Sequence, residues 1–555
     1  MPPQVQEVPV SSRIVAPRLR RFRPGVWLIF IAFVAVAIGL QIVRGAYRAE
    51  LSSYPDESAQ AVAGIAVERY MAHNLGRSPL GYMRNYYLHY PKVAIGHWPP
   101  LLYIAEAGAM LVLSPSKYAL LGLQALFAGI LACLLLRELK PLVGYPAAVL
   151  GSLALLLNPL IRRFSSMTMA ELPLTIAMFL ACLSFGRFAE SRRTRDAIWF
   201  AVWTAAAVLT KGTGWVIPLV ALAVVLVIRD WKLPLESALR PAALIVAVCC
   251  IPWQIVTMKS VVNGWYDSPT FALVARLAAR YAVYLFTVPG IAMGVAGVAS
   301  GFYLLRRTWK TGRSQAYWAS LACLVAVSCL FNVMVPTSEE PRKIIMIVPP
   351  IFVLAAAGTR ALARRVSPLR QQVTAAALFA VLAVLNIALS LPLHVKPRLG
   401  YDRVAADLVA AMPAGSAALV VSDAWGEGAL IGEFALRRPD PTVYLVRGSK
   451  LLASQMWDAT KYRNRVHSGD ECARLLASLP VSYLVVDRRK AIYHEDYFRF
   501  VEQMLRIHSA DWQLTAAYPS PADSSNAIAL YRRASGVAPV RNLPAWIAPQ
   551  IPGSE

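Results

Sequence analysis

Four short segments, far apart in the chain, carry ionisable residues that stand beside apolar runs without belonging to any basic cluster. Asp56 and Glu57 lie in Y-P-D-E-S, Glu171 in M-A-E-L-P-L, Lys211 in L-T-K-G-T-G, and Glu339, Glu340, Arg342 and Lys343 in S-E-E-P-R-K. Charges at the edge of a hydrocarbon layer are costly unless they face a cavity or one another. A carboxylate within reach of a hydroxyl can take its proton as general base. A fixed cation beside a leaving group that gains negative charge stabilises the transition state by about 3 kcal/mol. The set therefore suits a transfer in which a hydroxyl attacks and an anion departs. Each member also has a structural reading. Glu171 can complement the dipole of a helix that it opens, Arg342 and Lys343 can anchor a span end at the headgroups, and Asp56 and Glu57 can occupy the first turn of a helix over 58–74.

The elements that must position these residues are membrane spans. Of 555 residues, 57% are apolar and 16% charged, more apolar than a soluble core requires. Apolar runs fall near 26–43, 98–113, 118–136, 144–161, 172–186, 197–209, 215–228, 241–257, 281–305, 316–335, 344–359 and 373–391. The run at 98–113 starts with Pro99-Pro100, contains Glu106, and lies only four residues from the next. If it stays at the surface, the inside segments hold 22 Lys and Arg and the short outside loops hold 8. If it crosses, every basic cluster from Arg137 onward is translocated, against the positive-inside bias. About eleven spans are therefore expected, with 197–209 and 215–228 short enough to form a re-entrant pair around Thr210–Gly214. The basic segment 1–24 is then cytoplasmic and 25–391 is the membrane domain. The loop 45–117 and everything after 391 are outside. All four charged segments meet at that outer face.

The net charge of +25 is spread in short clusters between spans, which fits membrane topology and not a nucleic-acid surface. The Cys residues are scattered, without a zinc or disulfide spacing. Arg18–Arg23 precede an apolar run too long for a cleaved signal peptide, so the first span reads as a signal anchor.

Past Pro397 the runs shorten. Strands are expected at 417–421, 442–446, 483–486 and 528–531, with helices near 402–412, 427–436, 471–478 and 496–507. This makes 392–534 an α/β soluble domain, in which Asp423 and Asp487 end strands where open parallel sheets bind ligands. The alternative for both is a turn or helix cap, since no glycine-rich phosphate loop follows any strand. The Pro-rich tail 535–555 is expected to be disordered.

The order of these motifs, with G-H-W-P-P-L-L-Y at 96–103, resembles the lipid-linked-sugar-dependent glycosyltransferases of the GT-C fold, within them the PMT/ArnT-like group with its Rgt-type members. The resemblance covers roughly residues 25–360. It implies an α-helical polytopic membrane protein of the inner membrane, with a C-terminal α/β domain in the periplasm. It also implies a polyprenyl-phosphate sugar as donor, and a glycan, lipid or protein hydroxyl as acceptor. Attack is expected to be inverting, with Asp56 as base, Glu57 supporting the loop or the acceptor, and Glu171 as second acid where many relatives have Asp. The aminoarabinose transferases carry an acid and a Lys before the first Pro, where this chain has His97 and Trp98. The donor phosphate contact then passes to Lys211, Arg342, Lys343 or Arg84. No cofactor is expected; a divalent cation on His97, Asp56 and Glu171 is the weaker alternative. Tyr82, Tyr86, Tyr87, Tyr90 and Trp98 suit either sugar contact or interfacial anchoring. The rival functions are a flippase or transporter and a non-catalytic envelope assembly protein.

Overall fold

The computed structural model describes residues 24–93, 96, 98–262, 270–311, 315–335, 339–454, 462–489, 495–520 and 523–535. The basic stretch 18–23, His97 and the tail past 535 lie outside the described residues.

The first span is α1 (Pro24–Val43). The loop after it folds into α2 (Pro55–His73), α3 (Pro79–His89) and α4 (Leu101–Leu113). At ~1.5 Å per residue, the 13 residues of α4 fall short of the roughly 30 Å hydrocarbon layer. The bundle continues through α5 (Lys117–Val143), α6 (Tyr145–Leu157), α7 (Pro159–Ser165), α8 (Glu171–Ser191), α9 (Thr194–Thr210) and α10 (Val216–Ile228). It closes with α11 (Leu239–Val262), α12 (Phe271–Thr287), α13 (Ile291–Thr311), α14 (Ala316–Met334), α15 (Val348–Val366) and α16 (Gln371–Ser390).

Among the described residues seven helices are long and apolar enough to cross a membrane, or up to nine if each bent pair is one span. Two expected spans are not straight. The run 144–161 breaks between α6 and α7 at 65°, and 281–305 is two helices, α12 and α13, meeting at 105°. The second bend pivots on Gly290 (φ +93°), where a side chain would collide with the Asn386 amide, so only glycine fits. A continuous apolar run does not encode such a bend, because both arms are equally apolar.

The soluble domain begins with α17 (Tyr401–Ala411), β1 (Ala417–Val421) and α18 (Ala424–Arg437). It continues with β2 (Tyr444–Arg447), α19 (Gly448–Leu451), the short pair β3 (Ala453–Ser454) and β4 (Arg463–Asn464), and α20 (Gly469–Ala477). Last come β5 (Val481–Asp487), α21 (Asp496–Ile507), β6 (Trp512–Ser520) and β7 (Asp523–Arg533). The main sheet runs β2-β1-β5-β7-β6. β2, β1 and β5 are parallel, whereas β7 and β6 form an antiparallel hairpin. The expected strands and helices are all present, and β6 is additional: its mixed W-Q-L-T-A-A-Y-P-S owes its pairing to β7.

One apolar core joins the loop of α2–α4 to this domain. Ala61, Val62, Ile65, Tyr86 and Tyr103 pack in the same cluster as Tyr401, Val404, Leu430, Phe434 and Val485. The tyrosines of α3 serve that junction, with Tyr86 donating to the Pro439 carbonyl (2.9 Å) and Tyr90 to the Arg438 carbonyl (2.7 Å). Trp98 packs beside the same core.

Candidate functional site

The Y-P-D-E-S segment opens α2. Pro55 at the first turn has no N–H to satisfy and a preset φ, which favours a helix start, and Asp56 and Glu57 fall in that turn. The two adjacent acids have different surroundings. Glu57 is fully buried; its carboxylate accepts from the Ser53 amide (2.7 Å) and pairs with buried Lys396 (2.8 Å), in the linker to the soluble domain. Asp56 is half-exposed and meets Arg342 across 286 residues of chain, at 2.9 Å.

Arg342 is the hub. Its guanidinium contacts Asp56 at 2.9 Å, reaches Glu171 Oε1 at 3.8 Å, and is also bonded to Glu340. It lies over the Tyr54 ring, 4.6 Å from the centroid, and Arg163 approaches that ring to 4.8 Å. Arg342 stands there because Pro341 starts a 3₁₀ segment, Pro341–Ile347, that turns before α15.

Glu171 opens α8 and is 1% exposed. Its Oε1 takes Lys211 Nζ at 2.7 Å. Lys211 is delivered by the break after α9: Gly214 presses so closely on the Ala207–Val208 backbone that an added Cβ would stand 2.4 Å away. The helix ends at Thr210, and Lys211 adopts an extended conformation. Lys343 follows Arg342 in the same 3₁₀ segment. Asp56, Glu171, Lys211 and Arg342 thus form one alternating acid–base chain drawn from four segments.

Other candidates stand apart. Arg84 is exposed on α3 and makes no ion pair with the cluster among the described residues. No three His, Cys, Asp or Glu side chains converge as a metal set among the described residues. Arg342 itself occupies the place between Asp56 and Glu171 where a bridging cation would sit.

The strand-end acids of the soluble domain have internal partners. Asp423 caps α18 through the Gly426 amide (2.8 Å). Asp487 takes Arg489 Nε (2.8 Å) and Ser422 Oγ (3.0 Å) and is bonded to Tyr401, so the domain's own side chains fill that crevice.

Two residues that the sequence reading passed over also belong to the site. Lys396 holds Glu57. Lys92, 8% exposed, donates to the Pro55 carbonyl (3.4 Å), beside Asp56. Burial, with Arg447 nearby, pushes the Lys92 amine down to about 7. The backbone of α18 comes against both strands of this contact: a Cβ at Gly428 would stand 2.4 Å from Ser58 Oγ and 2.8 Å from Lys92 Cε. A lone Lys in a loop gave no signal of this burial.

Comparison with known proteins gives the fold a name. The profile of the dolichyl-phosphate-mannose-protein mannosyltransferase family matches residues 97–255. ArnT from Cupriavidus metallidurans, solved with undecaprenyl phosphate, superposes at a TM-score of 0.57 and 15% identity, over 93% of this chain and 100% of that one. The oligosaccharyltransferase AglB from Archaeoglobus fulgidus, solved with an inhibitory peptide and a dolichol-phosphate, gives 0.53 and 12%, over 93% and 74%. No curated protein matches by sequence. The chain is a multi-pass membrane protein with the GT-C fold and a small C-terminal sheet domain.

Proposed function

We propose that this chain is a membrane glycosyltransferase that moves a sugar from a polyprenyl-phosphate donor to an acceptor hydroxyl at the outer face of the membrane. The observation that carries the reading is the Asp56–Arg342–Glu171–Lys211 chain. It assembles a carboxylate and two fixed cations, on a fold shared with ArnT and AglB. Their structures hold a polyprenyl or dolichol phosphate, which supports a lipid phosphate as the donor's carrier.

Asp56, the more exposed acid, accepts the proton of the attacking hydroxyl as its oxygen bonds to the anomeric carbon. The bond from that carbon to the phosphate oxygen breaks, and the lipid phosphate departs with the electron pair. Lys211, Arg342 and Lys343 receive its added negative charge. Direct displacement of the phosphate by that hydroxyl inverts the anomeric centre. Glu171 orients the two cations, and Glu57, held by Lys396, fixes the loop. The bias of Lys and Arg supports a cytoplasmic N-terminus, with the site and the soluble domain outside.

The test uses purified protein in lipid nanodiscs, a panel of radiolabelled polyprenyl-phosphate sugars, and membrane extract as acceptor. Wild type is expected to release polyprenyl phosphate and label the extract, and Asp56→Asn to do neither. Equal transfer by both removes Asp56 as base. In sealed proteoliposomes, movement of the intact donor across the bilayer without transfer makes the protein a transporter.

A further inference from the structure

A second set of polar groups lies along α2, past Asp56. Asp56, Gln60 and Gly64 follow at four-residue spacing and so share one face of the helix. Against that face packs α4, which presents Tyr103 and Glu106, three residues apart. Glu106 is fully buried, Gln60 is 3% exposed and Tyr103 5%. Gln60 Oε1, Tyr103 Oη and both carboxylate oxygens of Glu106 have no hydrogen-bond partner among the described residues. The Glu106 carboxyl lies on the α2 backbone: a Cβ at Gly64 would stand 2.5 Å from its Oε2. Burial drives the Glu106 carboxyl well above the ordinary range, and burial with Glu106 and Asp56 does the same for the Tyr103 phenol.

A buried polar group without a partner keeps its full desolvation cost, so a packing role does not account for this row. Leucine or methionine at 106 would fill a similar volume against Gly64 without that cost. The atoms left open in the row are all oxygens: an amide acceptor, a phenol and a carboxyl, the last two able to donate as well as accept. In the acid–base chain Glu171 Oε2 is also open among the described residues, whereas the cations gather around Arg342. The site is thus divided between a cationic part, suited to phosphate, and a part whose open atoms are oxygens, suited to hydroxyl groups.

We propose that Gln60, Tyr103 and Glu106 form a binding row for the hydroxyl groups of a sugar ring, placed next to Asp56. The row supplies hydrogen bonds when the ring enters and stands unsatisfied without it. It rests on the transferase reading and extends it by naming residues that recognise the ring and not the phosphate. The ring belongs either to the donor or to a sugar of the acceptor, and the two sources are separable.

The test compares wild type with Glu106→Leu, Glu106→Gln and Tyr103→Phe in nanodiscs. The probes are bare undecaprenyl phosphate and undecaprenyl phosphate carrying mannose, glucose or arabinose, read by thermal shift and by transfer. Wild type is expected to gain more stabilisation from at least one sugar-bearing lipid than from the bare one. Glu106→Leu is expected to melt at or above the wild-type temperature and to keep the response to bare lipid. It should lose the sugar increment or raise a KM by about 10-fold, the worth of one well-placed hydrogen bond. Glu106→Gln restores most of the loss, and Tyr103→Phe, which removes one hydroxyl and little volume, shows a smaller effect of the same kind. Loss of the donor increment assigns the row to the donor sugar. An intact increment with a raised acceptor KM assigns it to the acceptor. Wild-type increments and KM values in Glu106→Leu and Tyr103→Phe overturn the row and leave the transferase standing. If neither lipid stabilises wild type and no transfer occurs, the transferase reading fails and the row with it.

Discussion

The charged cluster of the membrane domain and the strand ends of the soluble domain both carry buried acids and arginines, but they treat them differently. Around Asp487 every polar atom is used: Arg489 donates twice to the carboxylate, Ser422 and Tyr401 complete it, and Tyr497 donates to the Ser422 carbonyl (3.2 Å). Around Asp56 the ion pairs are partial. Arg342 is shared among three acids, and Glu171 Oε2, Gln60 Oε1, Tyr103 Oη and the Glu106 carboxyl have no hydrogen-bond partner among the described residues. A satisfied network fixes a fold and leaves nothing for a ligand. An unsatisfied one retains a cost that binding removes. The same residue types thus mark structure in one region and chemistry in the other.

That contrast breaks if the two networks respond alike to mutation. The largest effect is expected at Asp56→Asn, which removes the base and should lower transfer by about 10²–10⁴-fold while leaving the melting temperature near wild type. Asp487→Ala should do the reverse. It strands the buried Arg489 guanidinium, costs about 3–5 kcal/mol of stability, and leaves KM and kcat per folded molecule unchanged. A normal melting temperature with impaired kinetics would instead place Asp487 in a ligand site. Arg342→Lys is expected to lower kcat by about 10²-fold, because a point charge on a flexible stem cannot span Asp56 and Glu171 as a planar fork does. Full activity in that variant would make Arg342 a membrane anchor.

The smallest effect sharpens the junction between the regions. The folded Lys92 amine is held at about 7 against an ordinary 10.5. Between those values the unfolded chain carries a proton that the folded chain does not, so stability rises with pH across that window. Below pH 7 both carry it and the cost of burying the charge is complete. Lys92→Met should therefore melt higher than wild type at pH 6, with a gap that closes by about pH 10. A gap independent of pH would mean that Lys92 is not carrying a buried charge.

The residues of the acid–base chain were legible because lone charges next to apolar runs are expensive and so stand out from clusters of solvated ones. The different roles of Asp56 and Glu57 were expected as well, but the partner that holds Glu57 was not, since Lys396 arrives 339 positions later. The tyrosines of α3 read equally well as sugar contacts or membrane anchors; the backbone carbonyls after α18 decided that they hold the soluble domain. Arg84 had the right charge and the wrong face of its helix.

Composition and local periodicity were enough for a membrane chain, the α/β character after Pro397 and the segments that carry charge, and the bias of Lys and Arg set the run at 98–113 apart from the spans. Only the tertiary structure decided the bend at Gly290, the capture of Glu57 by Lys396, the internal use of Asp487, and the open row of Gln60, Tyr103 and Glu106. These rest on contacts between residues tens to hundreds of positions apart. Whether a buried polar atom has a partner is a property of such contacts, and no local pattern along the chain records it.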